Sequence, residues 1–209
     1  MTELGSIRGR PYAARVDEHR IRLVVNDDLQ RSRLTVFFRL ILVIPHGIWL
    51  TLWGFALYVV LVLNWLATLV LGRSPTALHG FTAAYTRYWT HVNAYLFLLA
   101  DPYPGFSGKE GSYPVDLEID PPAPQGRLGV FFRLVLSIPA WILASVLQYV
   151  IYIIAILGWF VCVFTGRMPE GMRNLSAYCL RFYDQTQAYT FLLTSRYPSL
   201  SAGGPGAAA

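Results

Sequence analysis

Two stretches of the chain are uninterrupted by charge. From Leu40 to Leu71, and again from Leu134 to Thr165, there is no Asp, Glu, Lys or Arg. Each exceeds the roughly 20 apolar residues needed to cross a bilayer core. Before each run lies an aromatic–basic segment, Arg33 to Ile44 in the first case, whose Phe37-Phe38-Arg39 suits an interfacial helix. Pro45 and Pro139 are expected to kink or break the chain after it. His46 to Leu71, at 1.5 Å per residue, then makes a helix about 39 Å long. Gly72-Arg73-Ser74-Pro75 and Gly166-Arg167-Met168-Pro169 carry the stop signals: Gly after the last turn, a cation at the negative helix end, and Pro to open the next helix. Thr76 to Ala100 follows as an amphipathic helix. Phe81, Tyr85, Tyr88, Val92, Tyr95 and Leu99 share one face, and Thr82, Thr86, Thr90 and Asn93 another.

The pattern occurs twice in one register. Arg33-Leu34-Thr35-Val36-Phe37-Phe38-Arg39-Leu40 returns as Arg127-Leu128-Gly129-Val130-Phe131-Phe132-Arg133-Leu134, an offset of 94 residues that holds ungapped to Tyr197-Pro198. A fixed register means two copies of one supersecondary unit, expected around a pseudo-twofold axis. The short alternating segments Ile21–Val25 and Val115–Ile119 obey the same offset and read as strands. Each lacks a partner of its own, so they are expected to pair. The fold class that follows is an all-α integral membrane protein built as a tandem parallel repeat. Each repeat has a short β-strand, an interfacial helix, a transmembrane helix and an amphipathic returning helix. Equivalent arginine clusters before both runs favour an even number of crossings per repeat, hence four transmembrane helices, with a shallow hairpin and interfacial second helix as the alternative. The divisions are a polar basic arm (1–18), repeat 1 (19–106), a linker (107–112), repeat 2 (113–200) and a disordered tail (201–209).

Composition agrees: 55% of residues are hydrophobic and 14% charged, with a net charge of +5. The arm has no apolar core of the kind a secretory signal needs. Its arginines read as the positive-inside signature, which places the N-terminus in the cytoplasm of a multi-pass cell-membrane protein, rather than as a nucleic-acid contact. The lipid bilayer is the implied partner, with a membrane-protein partner or self-association beside it. The two cysteines, Cys162 and Cys179, have no metal-ligand or redox spacing. His46, His79 and His91 have no histidine counterparts in the second copy, so a symmetric metal or haem site is not expected. No cofactor is implied, and no phosphate-binding loop, nucleophile elbow or paired-carboxylate arrangement is present.

One polar cluster stands out. Arg87 and Arg181 hold equivalent positions among aromatics, and Asp184 lies three residues after Arg181, within reach of it and, across the axis, of Arg87. In a membrane helix such charges need partners. A structural ion pair, or arginine stacked on an aromatic, is the plainer reading; a ligand-binding cluster is the sharper one.

The ensemble Arg-x-x-Val-Phe-Phe-Arg-Leu, Gly-Arg-x-Pro, and Tyr-x-Phe-Leu-Leu followed by Tyr-Pro resembles the bacterial membrane family called domain of unknown function 4389, over both copies from about Arg20 to Pro198. The resemblance implies a multi-pass membrane protein and lends no reaction, substrate or catalytic residue. The function expected is that of a non-enzymatic scaffold or accessory subunit of a membrane assembly; the alternative is a small transporter or lipid-binding protein using the interface between the repeats.

Overall fold

The structure, a computed structural model, describes residues 21–201. The basic arm and the tail beyond Ser201 lie outside the described residues. The elements follow the repeat: β1 (Arg22–Val25), α1 (Arg33–Leu42), α2 (Ile44–Leu71) and α3 (Thr76–Leu96), then β2 (Val115–Glu118), α4 (Arg127–Phe131), α5 (Arg133–Thr165) and α6 (Glu170–Thr190). The protein is mostly helical, with two long apolar helices and a small two-stranded sheet.

The expected strands form and pair. β1 and β2 are antiparallel, and Leu23 faces Leu117, its own repeat equivalent. The pseudo-twofold axis therefore passes through the middle of the sheet. It continues between α3 and α6, where Trp89 stacks on its equivalent Tyr183 at 6.2 Å and 16°.

The prolines do less than expected. α5 runs through Pro139. In the first copy the interruption is at Val43, one residue deep: its φ of −81° and ψ of −16° stay helical, and its N–H still bonds Arg39 O at 3.0 Å. Pro45 falls in the first turn of α2, where the missing N–H costs least. Arg33–Leu71 thus behaves as one rod of 39 residues, about 58 Å long. α4 and α5 make the equivalent rod, with their break at Phe132.

The ends of the rods exchange partners. Arg31 N–H donates to Gly166 O (2.9 Å), and Gln125 N–H donates to Gly72 O (2.7 Å). Trp159 Nε1 donates to Val36 O and Trp65 Nε1 to Val130 O, both at 3.0 Å. Each rod begins where the other ends, so the two run antiparallel. This corrects the four-crossing arrangement. That topology put the end of α2 and the start of α4 on opposite sides of a membrane, and a hydrogen bond now joins them. α3 does return alongside α2, as Trp53 against Phe81 and Tyr85 shows. Neither α3 nor α6 is apolar enough to count with Arg33–Leu71 and Arg133–Thr165 as a candidate span.

Polarity is distributed inside out. The stripe of α2 turned inward carries His46, Asn64 and Thr68, all at 0% exposure, with Leu50 and Leu57. Its outward face carries Phe55 (71% exposed) and Tyr58 (77%). α3, the innermost helix, buries Thr82, Thr86 and Thr90, each donating to the carbonyl four residues back. The helix satisfies these hydroxyls itself, so a polar face packs inside without external partners.

A candidate polar site at the repeat axis

Arginines near the start of each rod hold the ends of α3 and α6. Arg39 is buried, lies 4.3 Å over the Tyr95 ring, and donates to Tyr95 O, to Ala100 O (3.2 Å) and to Asp101 (3.1 Å). Its equivalent Arg133 lies 4.2 Å over Tyr189 and donates to Thr194 O (3.1 Å) and to Gln125 Oε1 (2.5 Å). Arg31, paired to Asp27 at 2.6 and 2.9 Å, caps Leu98 O; in the second copy Gln125 caps Leu192 O at 2.7 Å. The capped leucines share a left-handed φ of +63°, a conformation a branched residue holds only when its surroundings enforce it. Guanidinium groups at orphan helix carbonyls complement the negative helix end. These four residues are structural clamps, and their role was missed in the sequence, where the three arginines read as surface charge and Gln125 drew no reading. Their position just before or within the first apolar turn, repeated at the 94-residue offset, was the available signal.

The three singled-out residues do not converge. Arg87 lies along the sheet, donating to Leu117 O (2.9 Å) and to Glu110 (3.0 Å). Arg181 lies 5.3 Å over the Tyr178 ring and donates to Ser201 O (3.0 Å). Asp184 sits on the face of α6 turned to α3. It is fully buried beside its repeat equivalent Thr90, and neither carboxylate oxygen has a hydrogen-bond partner. Burial holds its carboxyl well above the usual range, while the neighbouring Thr90 hydroxyl donates to Thr86 O. The adjacent Tyr183 phenol is pushed up to about 12, by burial first and then by Asp184. Burial thus favours the neutral acid over the carboxylate. His79 Nε2 and Gln187 Oε1 are likewise buried without partners.

A second buried pair anchors the sheet. His91 Nε2 meets Asp116 Oδ1 at 2.7 Å, and Asp116 also accepts from Gly111 N (2.5 Å) and Leu117 N (2.8 Å). Burial works to raise the Asp116 carboxyl, but these three donors outweigh it and hold it below its ordinary value. Near the far end of α3, His46 Nδ1 meets Tyr88 Oη at 2.6 Å under the stacked ring of Phe106. Its counterparts in the second copy are Ala140 and Phe182, so this pair belongs to one repeat only.

The chemistry this offers is limited. Among the described residues no group of three or more His, Cys, Asp or Glu side chains is placed to hold a metal ion. Cys162 and Cys179 are buried free thiols, and burial raises the latter to about 11. A cavity beside Ile21, Gln125 and Thr194 has about 10 Å³, room for a single water.

The family profile described as domain of unknown function, DUF4389, matches residues 33–107 and 127–201. The chain belongs to the DUF4389 family. Its two DUF4389 units coincide with α1–α3 and α4–α6, each with the following turn; both strands lie outside the matched segments. No curated protein matches the chain, and no solved structure does.

Proposed function

We propose that this DUF4389 protein is a non-catalytic integral membrane protein, acting as a scaffold or accessory subunit of a membrane assembly. The observation that carries the reading is the inverted polarity of the long helices. In water, a helix whose inward stripe holds His46, Asn64 and Thr68 while Phe55, Tyr58 and Val59 face out has its amphipathicity reversed. In lipid the outward residues need no cover, while inside His46 Nδ1 meets Tyr88 Oη and Asn64 Oδ1 accepts from Ser74. Exposed large apolar residues recur along the length of both helices, unlike the scattered residues normal for a soluble surface.

A non-enzymatic role fits the way the charged groups are employed. Arg31, Arg39 and Arg133 hold helix ends, Arg87 holds the sheet, and Asp116 holds His91. The competing reading, a small transporter or lipid-binding protein at the repeat interface, would have Arg87, Arg181 and Asp184 lining one site. It is disfavoured because Arg87 is engaged with Leu117 O at the sheet and Arg181 with Ser201 O, so the three residues do not line one site. Fractionation followed by purification in mild detergent tests the proposal. The protein is expected in the membrane fraction, with a stoichiometric protein partner or a second copy. A solitary monomer in mild detergent removes the scaffold role, and a monodisperse protein in plain buffer removes the membrane.

A further inference from the structure

The twofold geometry bears on orientation. The rods run antiparallel, so the axis relating them is perpendicular to both, and the sheet sits on that axis. Exposed apolar residues recur along α2 at Ile48, Leu52, Phe55, Val59, Val62 and Leu66, and each has an exposed apolar equivalent 94 residues on in α5. Because the axis relates the two stripes, they lie at one level along it. Four exposed arginines also come in related pairs at the two ends. Arg33 packs beside Gly166, next to Arg167, and Arg127 donates to Val70 O, near Arg73.

We propose that the protein lies in one leaflet of an anionic phospholipid membrane without crossing it, both long rods parallel to the bilayer plane and the sheet towards water. This rests on the membrane reading above. Three observations separate lying from crossing. A rod of 39 residues is about 58 Å long, nearly twice the roughly 30 Å hydrocarbon core. If the rods stood upright, the axis would lie in the membrane plane and the sheet at mid-depth. Arg22 and Glu118, whose side chains are 65% and 51% exposed at 3.8 Å from each other, would then face hydrocarbon, where charges are expensive. Upright rods would also place equivalent arginine pairs on opposite sides, against the one-sided distribution of basic residues. Lying flat, the rods bring Arg33, Arg73, Arg127 and Arg167 to one headgroup level and put both stripes in acyl chains, as for in-plane amphipathic helices. Four cations at that depth match anionic phosphates.

Single cysteines decide it. Ser32 and Gly126 are repeat-equivalent, exposed positions at the starts of the rods; Gly126 has an ordinary φ of −64° and open space where a Cβ would go. Lys109 reports the sheet side, and the buried native Cys162 and Cys179 set the background. Ser32→Cys, Gly126→Cys and Lys109→Cys should all react with an impermeant maleimide in the same preparation, right-side-out or inverted vesicles, and none in the other. Labelling of Ser32→Cys and Gly126→Cys from opposite sides overturns the inference while leaving the membrane reading intact; absence from membranes overturns both. Phe55→Cys, labelled with a fluorophore and reconstituted in phosphatidylglycerol with brominated acyl chains, should be strongly quenched. No quenching means that protein, a second copy included, covers this face, and the inference fails. Infrared dichroism of the unmutated protein in oriented bilayers should show helix axes in the membrane plane; axes along the normal sink the proposal whatever the variants do.

Discussion

Asp184 is the residue that most resists a purely structural account. It is buried against α3 with both oxygens unpartnered, and burial pushes its carboxyl well above its ordinary value of 3.8. The folded protein therefore binds this proton more tightly than the unfolded chain. The associated stability is fully present below pH 3.8 and is lost as pH rises from there through the raised folded value. Asp184→Asn keeps the shape and removes the ionisation. The variant should be more stable than the parent at pH 7, by about 1–3 kcal/mol, and close to it at pH 4. Thermal melts in mild detergent at both values check this; identical melts at pH 7 mean that the carboxylate is accommodated after all. Asp116 behaves oppositely. Its carboxyl is held low by His91, Gly111 and Leu117 against the pull of burial, so its contribution is present above the ordinary carboxylate range and fades as pH falls through its lowered value.

At the scale of elements, the segment between the repeats is part of the fold and does more than join them. Gly108 lies against the backbone of α3: a Cβ there would fall 1.6 Å from Ala84 O, whereas one on Gly105 would meet open space. Gly108→Ala must push this segment off α3, with the Arg87–Glu110 and His91–Asp116 contacts strained in turn. A loss of about 1–3 kcal/mol is expected, the range for forced overpacking, with faster hydrogen exchange over residues 105–119. Gly105→Ala should match the parent in both measurements. The linker also shows where the sequence stopped being legible. Helix periods and stop signals were readable because each is a local pattern, and strand pairing because the 94-residue offset left two lone strands to match. The crossing number was not, because Thr76–Leu96 has a polar stripe that could face a partner or water; the choice depends on Gly72 meeting Gln125, a contact between copies. The candidate cluster is dispersed for the same reason. Arg87, Arg181 and Asp184 share one helical pattern, yet the sheet holds Arg87 and Ser201 holds Arg181, leaving the carboxylate without either arginine.

For the molecule as a whole, duplication has made two halves that complete each other. The start of each rod is closed by the end of the other, through Trp159 to Val36 O and Trp65 to Val130 O, and through the backbone bonds of Arg31 and Gln125 to the two glycine caps. Val36 and Val130 themselves are fully buried, so each carbonyl that loses its indole has little water to turn to. Trp65→Phe and Trp159→Phe each keep an aromatic ring and delete one donor, at an expected cost of about 1 kcal/mol. The two sites lie 29 residues apart along the first rod, Val36 to Trp65, about 43 Å, with no shared partner. In a rigid scaffold the losses should therefore add, the double variant falling within about 0.5 kcal/mol of the sum. Denaturation of the three variants in one detergent gives the cycle. A double variant much less stable than the sum would mean that the two ends of the molecule hold each other closed through the α3–α6 pair, and that the stack of Trp89 on Tyr183 is the joint through which they do so.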